Sequence, residues 1–180
     1  PWWNEQNRGE LMVYHDGATM KPARGFRDPV ELPSWASDRW RQDTAYALRR
    51  MIQHIRAQPY GERVVGYHLA SGGTDEWYYW PYWRWFFHMP QDDFVDYSAP
   101  QTAAFRRWLR GKYGGDEALR AAWRQDGVTL DSAQIAPKED KLKTTFFGLY
   151  DPAASQHVID TFDFEAELIA DTIAYFCRVV

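Results

Sequence analysis

Residues 64–77 read VVGYHLASGGTDEW, and this stretch decides the fold that the sequence predicts. Its first part, 64–70, is a short apolar run that directly follows a predicted helix, a pattern typical of a buried parallel strand. Residues 71–74 include two glycines, which allow a turn with positive φ angles. In parallel α/β proteins, ligands bind beyond the carboxyl ends of the strands. The turn would therefore bring Asp75 and Glu76 to a functional site.

The spacing of apolar residues predicts helices around this strand, over 38–57, 99–113, 116–125 and 152–180. Ser37 or Asp38 is suited to cap the first of these helices. Asp151 is suited to cap the last, and Gly114 to end the second. The order of helix, strand, loop and helices predicts an α/β fold. Because one strand cannot form a sheet, the chain would either take strands from elsewhere or be part of a larger domain, and the second is the prediction.

Each of these helices has a predicted apolar face, which is Phe105, Trp108, Leu109 and Tyr113 in 99–113 and Leu119, Ala122 and Trp123 in 116–125. In the helix over 38–57 it consists of Thr44, Leu48, Met51, Ile52 and Ile55. The arginines of that helix are expected in solvent: Arg39, Arg41, Arg49, Arg50 and Arg56. The apolar stripe of the last helix is predicted to be Val158, Phe162, Ile169, Ile173, Phe176 and Val180. Residues 1–37 and 126–150 are predicted to be largely irregular.

Composition narrows the range of functions. The 180 residues are 45% hydrophobic and 26% charged, as in ordinary soluble globular proteins. A net charge of −4 gives no reason to expect nucleic acid or an anionic membrane as a partner. The longest apolar run is interrupted by Glu165, Glu167 and Asp171, so no bilayer span is expected. The one cysteine, Cys177, excludes an internal disulfide. The compartment is left open, with the cytoplasm favoured.

Aromatic residues are unusually frequent and unevenly distributed. Ten Trp, eleven Tyr and ten Phe are present, and positions 77–87 hold nine aromatics in eleven. Aromatic rings match the C–H faces of sugars, while Tyr and Trp also donate hydrogen bonds to hydroxyls. A carboxyl beside such rings loses solvation, which raises its pKa towards that of a general acid. Glu76 is thus the candidate acid, although a surface or capping role for it, and a core role for the rings, stay open.

Other candidate residues carry weaker signals. His68 lies on the predicted strand and is either a site residue or an interior histidine. The five histidines show no HExxH or other ligand spacing, so we expect no metal site and no cofactor. Asp92, Asp93 and Asp96 could bind a cation or a sugar, but a solvated loop is the prediction for them.

A family resemblance spans most of the chain. The segments that carry it are PWW at 1–3, GELMV at 9–13, DG at 16–17, GYHL at 66–69, EW at 76–77, FRRWL at 105–109, KYG at 112–114, Leu119 and AW at 122–123. In this order they resemble family 42 glycoside hydrolases, the β-galactosidases of a large retaining (β/α)8 clan.

The resemblance implies a fold, an activity and a set of site residues. Residues 1–180 would be a fragment of a TIM (β/α)8 barrel domain, from about the end of strand 3 through helix 4, with a helical insertion after strand 4. Glu76 would be the acid/base of a retaining glycosidase, with the nucleophile outside this chain. The predicted substrate contacts are Asp75, Trp77, Trp3, His68 and Tyr78. The partner would be a carbohydrate, and family members are often trimers. No structural zinc is implied, because the chain lacks the cysteine cluster that many members have near 96–97.

Two readings compete with this one. The clan usually has Asn directly before the acid/base, where this chain has Asp75. That difference leaves open a catalytically silent carbohydrate-binding protein that uses the same aromatic platform. The third possibility is an interaction scaffold whose aromatic residues form a protein interface.

Overall fold

The computed structural model describes residues 2–19, 21–22, 29–71, 77, 79, 94–144 and 149–180. Helices account for most of the regular structure in these ranges: α1 Trp2–Gln6, α2 Asp38–Arg56, α3 Ala99–Tyr113, α4 Asp116–Trp123, α5 Lys138–Lys141 and α6 Pro152–Cys177. Short 3-10 turns lie at Arg8–Glu10 and Gly61–Arg63. A pair of two-residue strands, β1 Lys21–Pro22 and β2 Pro29–Val30, is antiparallel.

The four predicted helices are confirmed as α2, α3, α4 and α6, each close to its predicted bounds. The Ser37 hydroxyl caps α2 by accepting a hydrogen bond from the Trp40 amide at 2.9 Å. Gly114 ends α3 with a φ of 71°, a left-handed conformation that favours glycine. An Asp151 carboxylate oxygen caps α6 by accepting from the Ala153 amide at 2.9 Å. Local signals therefore suffice to set these helix ends.

The predicted α/β fold, with part of a (β/α)8 barrel from strand 3 to helix 4, is wrong. Residues 64–70 form no strand, and no parallel strand occurs in the ranges that the structure describes. Val64 and Val65 are exposed instead of buried. A strand requires a neighbouring strand to take up its backbone hydrogen bonds, and the described residues provide none for this segment. The regular elements that organise the described chain are helices.

The core forms where α3, α4 and α6 meet. Phe105 of α3 is fully buried at its centre, with ring centroids 5.2 Å from Phe164 and 6.2 Å from Trp123. Leu109 and Leu119 are also fully buried beside it. Each such side chain contributes about 1.5–3 kcal/mol by leaving water. The three helices therefore share one apolar core.

No helix within the described ranges is both long and apolar enough to cross a bilayer.

Candidate functional site

The predicted site residues are divided between described and undescribed parts of the chain. Glu76, Asp75 and Tyr78 lie outside the described residues, so their roles stay predictions. Trp3 and Trp77 are described and half-buried, whereas His68 is exposed. The alternative that His68 is an interior histidine is therefore wrong for this chain, and its sugar contact stays a prediction.

Trp77 is attached to its surroundings on two sides. Its indole N–H donates to the Leu69 carbonyl at 3.0 Å, which joins two points of the chain eight residues apart. Its ring lies 5.5 Å from Trp35 and 6.3 Å from Phe176, measured between centroids. Trp35 and Phe176 are both buried. The backbone at 77 is thus anchored to the core and to Leu69.

Tyr79 extends this anchorage to helix α3. Its ring stacks at a tilt on Trp35 with centroids 4.8 Å apart, and its hydroxyl donates to Oε1 of Gln101 at 3.2 Å. Both Tyr79 and Gln101 are fully buried. Burial, reinforced by the nearby carboxylates of Asp96 and Glu165, raises the pKa of Tyr79 well above its usual range. Tyr79 is therefore a neutral hydrogen-bond donor inside the protein.

The aromatic rings connect into a continuous row. We use the name aromatic row for Trp40, Phe176, Trp77, Trp35 and Tyr79. Its first member, Trp40, meets Phe176 edge-on with centroids 5.4 Å apart. Edge-to-face and tilted pairs of this kind are the favoured geometries of aromatic contact. The row thereby couples helix α2 to helix α6 and to the segment around 77–79.

A cleft of about 730 Å³ opens at the α2 end of this row, between α1 and α2. Trp2, which is exposed, and Trp3 form part of its wall together with Trp40 and Tyr46. The indole N–H of Trp3 donates to Oδ2 of Asp43 at 2.9 Å. Hydrogen bonds from Trp3 and Arg39 lower the pKa of Asp43, so this carboxylate stays ionised. Trp3 and Trp40 thus line the same cleft, and Trp40 is the member of the aromatic row that reaches it.

A buried carboxylate, Asp96, joins the N-terminal segment to the start of α3. Its Oδ1 accepts from the amides of Val13 at 3.1 Å and Ser98 at 2.8 Å. Asp96 is fully buried, so the expectation of a solvated loop is wrong for this residue, while Asp92 and Asp93 lie outside the described ranges. Burial raises the pKa of Asp96, against the opposing effect of hydrogen bonds from Ser34, Ser98 and Val13. Sequence gave no sign of this because Asp96 occupies no helical or strand periodicity.

Replacing Asp96 with Asn is expected to flatten the pH dependence of unfolding. Because its pKa is raised, Asp96 stays protonated to a higher pH in the folded state than in the unfolded state, where the carboxyl titrates at about 3.9. Stability contributed by Asp96 is then complete at low pH and is lost as pH rises through the folded pKa. Asn keeps an acceptor for Val13 and Ser98 but carries no charge.

Urea midpoints of the full-length gene product between pH 4 and 8 would measure this effect. Asp126→Asn, which changes an exposed carboxyl, is the matched control and should keep the wild-type profile. An Asp96→Asn profile parallel to that of the wild type contradicts the prediction.

A second buried pair lies between α5 and α6. Nζ of Lys141 is 3.4 Å from Oε1 of Glu165, and both side chains are almost fully buried. The ammonium group also faces the rings of Phe94, Tyr97 and Phe162, with centroids at 5.5, 4.9 and 5.5 Å. Burial raises the pKa of Glu165, although the Lys141 charge opposes the shift. The sequence did not predict this pair. It lies close enough to Tyr79 for the charge of Glu165 to contribute to the raised pKa of the Tyr79 hydroxyl.

Within the described ranges, no group of three or more His, Cys, Asp or Glu side chains is arranged to hold a metal ion. The chemistry that these residues offer is that of aromatic faces, hydrogen-bond donors and desolvated carboxyls.

The fold of the chain is similar to part of two solved β-galactosidase structures. The chain superposes on a β-galactosidase from the psychrophilic Marinomonas ef1 with a TM-score of 0.63 and 19% identity, over 99% of this chain and 23% of that one. It also superposes on a β-galactosidase from Bacillus circulans sp. alkalophilus with a TM-score of 0.60 and 17% identity, over 99% of this chain and 22% of that one. The chain thus spans less than a quarter of these neighbours. No protein-family model and no curated protein sequence matches it.

Proposed function

We propose that the full-length protein containing this chain is a retaining glycoside hydrolase of β-galactosides or related β-linked sugars. The observation that supports this proposal most is the superposition on two β-galactosidases over 99% of the chain. The residue pattern around 66–77 points in the same direction and favours family 42. The superposition and the residue pattern are separate arguments, because the structures share only 17–19% identity with the chain.

Glu76 acts as the general acid/base in this proposal. As the glycosidic C–O bond breaks, the Glu76 carboxylic acid transfers its proton to the leaving oxygen, while a carboxylate outside this chain forms the covalent glycosyl ester. In the second step, Glu76 accepts a proton from water, whose oxygen attacks the sugar carbon and releases the nucleophile. Glu76 must be protonated in the first step and ionised in the second. A desolvating, ring-rich neighbourhood favours the protonated form.

The aromatic residues would supply the sugar-binding surface. Trp3 forms part of the wall of a cleft of about 730 Å³, a volume in the range of ligand sites. Its N–H is already engaged by Asp43, so the ring face is what Trp3 offers to a sugar. The polar side chains beside it include Asn4, Asn7 and Arg39. Such a mixture of ring faces and hydrogen-bonding groups suits a polyhydroxylated ligand.

Replacing Glu76 with Gln in the full-length gene product tests the proposal. With phenyl β-galactoside, whose leaving group needs protonation, kcat/KM is expected to fall by about 10²–10⁴-fold. With 2,4-dinitrophenyl β-galactoside, which needs little acid assistance, the fall should be much smaller. Glu62→Gln, which changes an exposed glutamate in a 3-10 turn, is the control and should leave both substrates unaffected.

Two outcomes would reject this proposal. If the Glu76→Gln protein keeps its activity on phenyl β-galactoside within a few-fold, Glu76 is not the acid. If the wild-type protein quenches its Trp fluorescence saturably with galactose but hydrolyses neither substrate, it is a silent carbohydrate binder. The presence of Asp75, where the clan has Asn, is what makes this second outcome worth measuring.

A further inference from the structure

The cleft between α1 and α2 follows one face of helix α2. Its α2 wall includes side chains that recur at the three- and four-residue spacing of a single helix face: Arg39, Asp43, Tyr46, Ala47 and Arg50. At the rise of an α-helix, the stretch from Arg39 to Arg50 is about 16 Å long. A ligand that touches both ends of this wall is therefore an extended molecule, such as an oligosaccharide.

Exposed aromatic rings form much of the rest of the cleft. Trp2 is 67% exposed and Tyr46 is 62% exposed, although both line a concave surface. The Trp3 ring is held in place, because Oδ2 of Asp43 accepts from its N–H at 2.9 Å and from Nε of Arg39 at 2.7 Å. Ring faces that stay open to solvent in a cleft are suited to cover the C–H faces of sugars.

The charges of the cleft differ in sign from the charge of the whole chain. The chain has a net charge of −4, whereas the described walls carry the guanidinium groups of Arg39 and Arg50 and the single carboxylate of Asp43. Arg39 pairs with Asp43. The Cζ atom of Arg50 lies 6.0 Å from the ring centroid of Tyr46, and no carboxylate of the described residues pairs with this arginine. Stacking on a ring leaves the N–H edge of a guanidinium group available to an anion.

We propose that the cleft between α1 and α2 binds a β-linked oligosaccharide that carries an acidic group, a carboxylate or a sulfate, and that Arg50 pairs with this group. The inference deepens the proposed function, on which it rests, by naming the class of sugar. The planar guanidinium group can donate two parallel hydrogen bonds to such an anion. The rings of Trp2, Trp3 and Tyr46 then contact the neutral sugar units.

Calorimetric titration of the full-length gene product tests the preference for an acidic sugar. The three probes are sulfur-linked β-galactotriose, which resists hydrolysis, a counterpart whose terminal unit is galacturonate, and a counterpart sulfated at the same carbon. At least one acidic probe should bind about fivefold or more tightly than the neutral one, and the tighter of the two identifies the acidic group. The difference should shrink in about 1 M NaCl, which screens charges beyond about 3 Å. Equal affinity for all three probes, or no binding, would overturn the proposal.

Two neighbouring arginines provide a matched pair of variants. Arg49 and Arg50 are both exposed on α2, and Arg50 lines the cleft whereas Arg49 lies outside it. Arg50→Gln should lower the affinity for the acidic probe to about that for neutral β-galactotriose, which should itself bind as before. Arg49→Gln removes the same charge and should bind all three probes like the wild type. If both variants lose the preference equally, the charge of the helix as a whole is responsible and the proposal fails.

Replacing an exposed ring tests the cleft separately from its charge. Trp2→Ala should weaken the binding of all three probes by about fivefold, because each would lose the same ring contact. Tyr60→Ala changes a ring that is 52% exposed and lies outside the cleft, so it should leave the affinities unchanged. Wild-type affinities in the Trp2→Ala protein would place the sugar elsewhere and overturn the proposal.

The titrations also distinguish failure of this inference from failure of the proposed function. If Glu76→Gln is fully active on phenyl β-galactoside, the proposed acid is wrong, whatever the cleft binds. If Glu76→Gln is inactive and the three probes bind equally, only the inference about an acidic sugar fails.

Discussion

Lys141→Met is expected to destabilise the protein by about 3–5 kcal/mol at neutral pH, because it leaves a buried carboxylate without its counterion. Glu165 is 2% exposed, and Lys141 is the cation that lies 3.4 Å from it. The substitution also removes the ammonium group from the rings of Phe94, Tyr97 and Phe162. The urea midpoint of the full-length gene product, together with hydrogen exchange of the α6 amides, measures the loss.

The effect of Lys141→Met should depend on pH in a definite direction. Burial already raises the pKa of Glu165, and loss of Lys141 removes an opposing influence, so the pKa rises further. A carboxyl with a raised folded pKa is tolerated at low pH and costs stability as pH rises through that value. The difference between Lys141→Met and wild type should therefore shrink as the pH is lowered towards about 4.

Two further variants separate charge burial from general damage. The double variant Lys141→Met/Glu165→Leu removes both charges and should recover most of the loss, because apolar replacements of buried pairs are often neutral. Lys143→Met changes an exposed lysine that pairs with Asp140, and it should leave the midpoint unchanged. A double variant as unstable as Lys141→Met would contradict the idea that an unpaired charge is responsible.

The helices were predictable because their signals are local. Ser37, Gly114 and Asp151 are cap residues that act within one turn of their own position. By contrast, whether residues 64–70 form a strand, and how the site is assembled, depend on residues far away in the sequence. Residues 64–70 have the composition of a strand, but strand formation depends on a neighbour that the sequence of the segment does not specify.

Burial of polar side chains is what sequence reasoning missed. The predicted apolar stripe of α6 included Val158 and Phe176, which are buried. The buried residues of that helix also include the polar side chains Asp160, Thr161, Glu165 and Thr172. Helical spacing places these on the same side as Phe164 and Leu168, so the periodicity was present, but hydropathy assigned the polar positions to solvent. Their partners, such as Lys141 for Glu165, lie too far along the chain for spacing to reveal them.

In helix α2, too, the exposure of some side chains differs from the prediction made from helical spacing. Ile52 is buried as predicted, whereas Met51 is exposed. Arg41, predicted to be in solvent, donates instead to the Trp35 carbonyl at 3.0 Å and to Asp171 at 2.7 Å. The arginine thereby holds a member of the aromatic row in register with α6. Sequence predicted aromatic residues for a sugar site, whereas the contact between Trp77 and the buried ring of Trp35 is visible only in the packed structure.

Asp160→Asn is expected to cost about 3 kcal/mol or more, although it changes a single atom of the side chain. Asp160 is fully buried on α6, and its carboxylate accepts four hydrogen bonds from three helices. Oδ2 accepts from Tyr113 and Trp123 at 2.6 Å each, and Oδ1 accepts from Lys112 at 3.0 Å and Gln156 at 2.7 Å. Because each oxygen faces two donors, the amide NH₂ opposes donors whichever way it is turned.

The helices in which hydrogen exchange accelerates will show whether Asp160 joins α3, α4 and α6 or stabilises α6 alone. The donors come from α3, α4 and α6, so hydrogen exchange should accelerate in all three helices of the Asp160→Asn protein. Asp163→Asn, one turn along α6, changes an exposed carboxylate that lies 3.3 Å from the same Lys112, and it should cost less than about 1 kcal/mol. Acceleration confined to α6 would mean that Asp160 does not join the helices. Helices α3 and α6 also carry Gln101 and Phe176. If Asp160 joins the helices, its replacement should therefore weaken the contacts of Tyr79 with Gln101 and of Trp77 with Phe176.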